Sequence, residues 1–211
     1  MRGPLISVVI PTRKGESVTT TVHSLMQQTI QDLELLTIVD HDGRGAPWAR
    51  NRGAEIARGE YLLFSDNDID WVPDALDQLV IALISAPDEV SDSAGRSWRV
   101  GYAYGAYEMA GRLFCAEPWS FQILQGRNLV STMALMKRGC FPGWDESLGR
   151  LQDWELWLRM ALQQRVCGVQ VPKVLFRTEV RAGISFDGRC SYEDAWATIR
   201  RKHGLPTEVH A

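Results

Sequence analysis

The first 84 residues alternate apolar runs with amphipathic stretches, and this alternation restricts the possible fold more than any other feature. Apolar, β-branched runs at residues 5–10, 33–39 and 61–65 predict strands. The first and third are expected to be buried, and the first is stopped by Pro11. Residues 16–28, 47–57 and 73–84 are predicted helices, with Pro73 in the first turn of the third. Strand–helix units in this order favour right-handed crossovers. The predicted fold class is therefore α/β, with a mostly parallel central sheet flanked by helices.

The second half gives a different pattern. Residues 98–110, 128–137 and 169–176 are predicted strands, and residues 87–96 and 141–146 are predicted loops. A helix is predicted over residues 151–164, where Trp154, Trp157 and Leu158 fall on one apolar stripe. The tail at residues 192–203 is also predicted to be helical.

Composition narrows the class of protein. With 211 residues, 45% hydrophobic and 23% charged, the chain is typical of one globular domain with a sizeable core. A net charge of −3 does not favour a broad nucleic-acid surface. The four cysteines form no C-x-x-C pair, which predicts reduced thiols and a cytoplasmic location. No apolar stretch approaches the length of a membrane span.

The third predicted strand ends in Asp66, Asp68 and Asp70. Two residues apart on extended backbone, Asp66 and Asp68 leave the chain on the same side, where they repel each other unless a cation intervenes. Carboxylates paired in this way suit Mg²⁺ or Mn²⁺ that is also bound to phosphate. A helix-capping turn is the alternative; a calcium loop is disfavoured, because Trp71 occupies the position that requires glycine.

Three polar segments follow the three predicted strands, at residues 11–14, 40–43 and 66–70. Ligands of parallel α/β sheets bind beyond the carboxyl ends of the strands. We therefore expect these segments to line one crevice.

Four motifs together resemble the inverting glycosyltransferases of family 2, which have the nucleotide-binding GT-A fold. They are SVVIPTR at residues 7–13, ARNRG at 49–53, FSDND at 64–68 and QDWELWLR at 152–159. The resemblance implies a single GT-A domain over residues 1–211, with a nucleotide-binding half at about 1–96 and a smaller, mixed acceptor and catalytic half at about 97–190. Residues 191–211 would form a C-terminal helix and tail.

The same resemblance assigns site residues. Those implied to bind the nucleotide sugar are Pro11, Thr12, Arg13, Asp40, Asp42, Arg50, Asp66, Asn67 and Arg181. Asp66 and Asp68 match the D-x-D motif, with Asp68 on the metal, and Asp153 falls at the position of the catalytic base. Gln152 replaces the glutamate that often precedes the base, and Arg181 stands where many members have a metal-binding histidine. An arginine cannot bind a cation, but its fork suits phosphate oxygens.

Each assignment has a structural alternative. Asp153 is either the base or the N-cap of its helix, and Arg50 either faces the ligand or is a solvated helix charge. Trp119 and Trp144 are either platforms for an acceptor sugar or core residues, and Trp154 and Asp145 are further acceptor-side candidates.

The function expected from the resemblance is metal-dependent, inverting transfer of a sugar from a nucleoside diphosphate, UDP being the usual one. The acceptor hydroxyl is left open among a glycan, a lipid-linked glycan, a protein, a metabolite and a modified nucleobase, as is the oligomeric state. An inactive nucleotide-sugar-binding module is the main alternative, supported by Gln152 and Arg181. A nucleotidyltransferase is disfavoured, because residues 11–16 contain one glycine and form no glycine-rich basic loop. The G-x-G-x-x-G of an oxidoreductase is absent there as well.

Overall fold

A computed structural model describes residues 3–179 and 190–207. Within these ranges, nine strands form one sheet in the order β2-β1-β3-β8-β6-β9-β4, with β5 and β7 also paired to β6. The strands are β1 (Ile6–Arg13), β2 (Leu33–Asp40), β3 (Tyr61–Phe64), β4 (Asp70–Trp71), β5 (Glu89–Ser91), β6 (Ser97–Met109), β7 (Arg112–Phe114), β8 (Leu135–Lys137) and β9 (Val166–Thr178). The helices are α1 (Thr19–Met26), α2 (Ala46–Ile56), α3 (Ala75–Ser85), α4 (Phe121–Leu124), α5 (Gln152–Gln164) and α6 (Tyr192–Lys202).

The N-terminal half has the predicted alternation. β1 pairs in parallel with β2 on one side and with β3 on the other. Both β1 and β3 are buried along nearly their whole length, as expected of parallel strands covered on both faces. Gly53 of α2 allows that helix to lie close to β1, since a Cβ there would come within 2.2 Å of a Val9 methyl carbon.

The prediction that Pro11 stops the first strand is wrong. β1 continues to Arg13 and pairs with β2 over its full length, whereas its pairing with β3 ends at Val9. The Val9 carbonyl accepts from Ser65 on the β3 side, and Pro11, two residues on, faces the same side. Because no β3 residue pairs with Pro11, the lack of a backbone N–H at this position costs the sheet no hydrogen bond.

The C-terminal half is mixed, so the sheet is parallel only at β2-β1-β3 and between β6 and β9. β8 joins the halves by pairing antiparallel with both β3 and β6. The α/β class, with a mixed sheet and flanking helices, is thus confirmed, and the parallel pairing is shared between the N-terminal strands and the β6–β9 pair.

Two predicted segments of this half differ in the structure. Residues 128–134 are not a strand, because side chains satisfy their backbone: the Val130 N–H donates to Asn128 at 3.2 Å, and the Val130 carbonyl accepts from Trp157 at 2.9 Å. Residues 87–96 are not a continuous loop, because β5 pairs with β6. Asp92 closes this hairpin by accepting the Ala94 and Arg96 amides.

Helix α5 carries the apolar stripe that the sequence predicts. Trp154, Trp157 and Leu158 are each at most 1% exposed. The indole N–H groups of the two tryptophans donate to the carbonyls of Leu124 and Val130, at 2.7 and 2.9 Å. These bonds fix α5 against the segment that precedes β8.

Helix α6 packs on α5 around a buried carboxylate. Glu155 is 0% exposed and contacts Arg159 at 3.1 Å, Lys202 at 2.5 Å and His203 at 3.2 Å. These four residues are called the Glu155 cluster below. Burial acts to raise the pKa of Glu155, but hydrogen bonds from His203 and Lys202 and the charge of Arg159 outweigh it, so the pKa lies below its ordinary value.

No helix in the described part of the chain is long and apolar enough to cross a bilayer. All four cysteines are free thiols; Cys140 and Cys167 are buried, Cys190 is half-buried and Cys115 is exposed.

Candidate active site

A cavity of about 420 Å³ lies at the carboxyl ends of β1, β2 and β3. It brings together nine of the predicted site residues: Pro11, Thr12, Arg13, Asp40, Arg50, Asp66, Asn67, Asp68 and Asp153. The second half of the chain also contributes to the wall, through Thr132 and the residues at the start of α5. Asp68 and Asp153 therefore line the same cavity.

Asp40 organises the loop that follows β2. One carboxylate oxygen accepts the amides of Asp42 (3.3 Å) and Arg44 (3.0 Å), and the other accepts the amide of Gly45 (2.7 Å). Although burial acts to raise the pKa of Asp40, these amides outweigh it and hold the pKa below its ordinary value. Asp40 thus presents an ionised carboxylate and fixes the backbone at this edge of the cavity.

Arg50 connects the two halves of the site. It is 5% exposed and donates to Asp66 at 2.7 Å and to Gln152 at 3.2 Å, while its guanidinium lies 4.8 Å from the centre of the Trp144 ring. Gln152, which replaces the family's usual glutamate, is therefore a hydrogen-bond partner of this arginine. The Arg50 Nε is buried and has no hydrogen-bond partner within the described residues.

The acidic tip after β3 supplies oxygen donors to the cavity. Asp66 and Asp68 both line it, and the Asp66 oxygen Oδ1 is bound by Arg50. Across residues 3–179 and 190–207, no cluster of three or more His, Cys, Asp or Glu side chains suits a metal. Two carboxylates nevertheless fit a cation such as Mg²⁺, which commonly takes one or two protein carboxylates and completes its shell with phosphate oxygens and water.

Asp153 is the second residue of α5, and Leu151 rather than Asp153 occupies the N-cap position. Its carboxylate accepts the Trp154 amide at 2.9 Å and the Asn128 side-chain amide at 2.8 Å. The N-cap alternative is therefore wrong.

Burial dominates the electrostatic environment of Asp153. Burial raises its pKa above the ordinary aspartate value, and the Trp154 amide, the Arg50 charge and the Asn128 bond offset only part of that rise.

Several predicted site residues lie elsewhere. Asp42 is exposed, pairs with Arg44 at 3.4 Å and is not in the cavity wall. Trp144 and Trp154 are 4% and 1% exposed, so neither has a free face for a sugar ring. The platform interpretation is therefore wrong for Trp144, and the buried Trp154 is not available to an acceptor either.

The remaining acceptor candidates also have structural roles. Trp119 donates to the Tyr102 hydroxyl at 2.9 Å and lines a separate cavity of about 490 Å³. Asp145 pairs with Lys202 at 2.7 Å, and bonds from Lys202 and Ser147 overcome partial burial and lower its pKa to about 2. Arg181 lies outside the described residues.

Sequence reasoning missed several residues of the cavity. Glu16 was assigned to helix α1, but α1 begins at Thr19 and Glu16 accepts the Arg13 amide at 3.0 Å and the Asn67 side chain at 3.1 Å. Thr132 and Arg150 also line the cavity. No local motif marked them, although Arg150 lies only three residues before Asp153.

Fold and cavity together define a GT-A glycosyltransferase domain. The family model described as "Glycosyl transferase family 2" matches residues 36–141, half of the chain. The chain therefore belongs to glycosyl transferase family 2.

Individual relatives agree with this class. Glucosyl-dolichyl phosphate glucuronosyltransferase of Haloferax volcanii is 28% identical over 113 residues, which cover 41% of this chain and 36% of that protein. The crystal structure of S. aureus TarS 1-349 in complex with UDP-GlcNAc superposes with a TM-score of 0.68 at 17% identity, over 94% of this chain and 65% of that one. The mannosyltransferase PcManGT from Pyrobaculum calidifontis, in complex with GDP-Man and Mn²⁺, gives 0.61 at 18% identity, over 95% and 62%. The chain thus spans about a third of the curated relative and under two thirds of these structures.

Proposed function

We propose that this domain transfers a sugar from a nucleoside diphosphate to an acceptor hydroxyl, with inversion at the sugar carbon. The observation that carries the proposal is the single cavity whose wall includes both Asp66 and Asp68 on one side and Asp153 on the other. Under this proposal residues 1–96 bind the donor, residues 97–190 bind the acceptor and supply the base, and all belong to one domain. The single domain is supported by one continuous sheet that runs through both halves.

The donor half offers fixed polar groups to a nucleotide. Thr12 and Asp40 are buried at the ends of β1 and β2, and Arg13 and Asn67 also line the cavity. Pro11 contributes a rigid apolar surface beside them. Neighbours solved with UDP-GlcNAc and with UDP support a uridine donor, although another neighbour holds GDP-Man.

Asp66 and Asp68 would hold a divalent cation, Mn²⁺ or Mg²⁺, together with oxygens of the donor diphosphate. When bound, such a cation offsets the negative charge that develops on the departing diphosphate. Arg50 keeps Asp66 in place through their 2.7 Å ion pair. A neighbour bound to Mn²⁺ supports this part of the proposal.

Asp153 would accept the proton of the acceptor hydroxyl while that oxygen forms its bond to the sugar carbon and the carbon–phosphate oxygen bond breaks. Its raised pKa makes the carboxylate a better proton acceptor than an exposed aspartate. Asn128 and the Trp154 amide orient it.

The test is release of nucleoside diphosphate over a panel of nucleotide sugars, with and without Mn²⁺. Asp153→Asn should lower turnover by about 10²–10⁴-fold, the usual contribution of a general base, and should leave donor affinity unchanged. Asp42→Asn is the matched control, since Asp42 is exposed and does not line the cavity. Donor binding without turnover by the unmodified protein would instead establish a binding module, and full activity of Asp153→Asn would remove Asp153 from the mechanism.

We also propose a cytoplasmic location, which the four free thiols support.

A further inference from the structure

Arg150 is a cavity residue to which neither a motif nor a contact with the predicted site gives a role. It is half-buried and lines the cavity three residues before Asp153. Of the arginines in this wall, Arg50 is paired with Asp66 at 2.7 Å. For Arg150, no carboxylate of the described residues lies within ion-pair distance, and its guanidinium lies over an aromatic ring.

That ring belongs to Tyr192, the first residue of α6, whose centre lies 5.8 Å from the Arg150 guanidinium carbon. The start of α6 is itself fixed, because the Ser191 hydroxyl caps the helix by accepting the Asp194 amide at 2.9 Å. A cation over a ring face is attracted to the ring and keeps its charge, so its N–H groups remain available as donors. The Tyr192 ring therefore contacts Arg150 without neutralising it.

The position of Arg150 indicates which substrate it faces. Its chain neighbours Gly149, Leu151 and Gln152, ahead of the proposed base, also line the cavity, as does Thr132 of the same half. The groups proposed to hold the donor diphosphate lie at the tips of β1 and β3 instead. A guanidinium fork pairs best with planar or tetrahedral oxyanions.

We infer that Arg150 binds an oxyanion, a phosphate or a carboxylate, carried by the acceptor close to the hydroxyl that Asp153 deprotonates. This inference rests on the proposed function, and it narrows the acceptor to an anionic molecule. Tyr192 then acts as a positioning residue, which keeps the guanidinium beside the base.

The inference is tested by binding of three acceptor probes that share one scaffold: octyl glucoside, its 6-phosphate and octyl glucuronide. Dissociation constants are measured by calorimetry with and without UDP and Mn²⁺, so that the result does not depend on turnover. One or both anionic probes should bind about tenfold more tightly than the neutral one, the effect of one charge-assisted hydrogen bond. The phosphate and glucuronide arms separate the two sources of the oxyanion.

Arg150→Gln should remove this advantage and leave binding of octyl glucoside and of UDP unchanged. Arg112→Gln is the matched control: Arg112 also lies over an aromatic ring, 5.2 Å from the centre of Phe114, but is outside the cavity wall. Tyr192→Phe should retain the preference for the anionic probes, and Tyr192→Leu should reduce it.

Three results would overturn the inference. They are equal binding of charged and neutral probes by the unmodified protein, an equal loss for all probes in Arg150→Gln, and a loss confined to UDP, which would place Arg150 on the donor. Failure of the proposed function looks different, since the unmodified protein would then not turn over nucleotide sugars, with or without binding them, whatever its preference among the probes.

Discussion

Replacing Glu155 by glutamine tests whether the Glu155 cluster stabilises the domain. The carboxylate is fully buried, and its partners are Arg159 on the same helix and Lys202 and His203 at the end of α6. Glutamine has nearly the same volume, so the change removes the charge without opening a cavity. What remains is a set of cationic groups around a neutral side chain.

The size of the effect follows from the other contacts of those groups. Removing one member of a buried ion pair typically costs about 3–5 kcal/mol, because the remaining charge is left uncompensated. Here Arg159 also donates to the Pro142 and Gly143 carbonyls, and Lys202 also pairs with Asp145. We therefore expect the lower end, about 3 kcal/mol, or a fall in Tm of roughly 6–12 °C for a domain of this size.

Thermal and urea unfolding measure this loss, with Glu117→Gln as the control. Glu117 pairs with Arg127 at a similar distance, 2.7 Å, but both side chains are about half exposed, so this change should cost at most about 1 kcal/mol. The pKa of Glu155 is depressed in the folded state. Its contribution is therefore complete above the unfolded pKa of about 4.3 and disappears as pH falls through the folded value. Equal destabilisation by the two variants at pH 7, or a Glu155→Gln effect that grows as pH falls through this acid range, would refute the reasoning.

Three further predictions concern the site and the sheet. Because the Asn128 bond lowers the pKa of Asp153, Asn128→Ala should move the acid limb of the pH dependence of kcat/KM to higher pH; a shift to lower pH would contradict the base assignment. Gly53→Ala should destabilise by about 1–2 kcal/mol, since the clash with β1 exceeds the gain in helix propensity, whereas Gly139→Ala, with no atom within 4 Å of the added methyl, should be neutral in the same melting experiment. Asp40→Asn should weaken UDP binding about tenfold in calorimetry by leaving one loop amide without an acceptor; unchanged affinity would show that the loop does not depend on this carboxylate.

The parallel strands could be predicted from sequence because their signals are local. β1, β2 and β3 are apolar runs of the right length, separated by segments that are predicted to be helical. Residues 128–134 could not be predicted in this way. Their apolar character is real, since Val130 is 2% exposed, but it reflects packing under α5 rather than strand pairing, and the partner Trp157 is 27 residues away.

The site residues also divide into those with a local sequence signal and those whose role depends on distant parts of the chain. Asp66, Asp68 and Asp153 could be predicted as candidates because each belongs to a motif with its own chemistry, and all three line the cavity. The roles of Gln152 and Trp144 depend on Arg50, which lies about a hundred residues earlier in the chain and bonds or stacks with both. The direction of the Asp153 pKa shift likewise depends on burial by the folded chain, which the local sequence does not reveal.

Pro11 has a consequence for what can enter the cleft. Beyond Val9 the β3 side of β1 has no pairing strand within the described residues, and Pro11 lines the cavity there. A strand without a partner can recruit an extended peptide as an extra strand. Pro11 has no backbone N–H to donate, so the first hydrogen bond between β1 and an added strand cannot form. Polypeptide segments are thereby discouraged from docking by β-augmentation, and this side of the cleft favours compact ligands held by side chains.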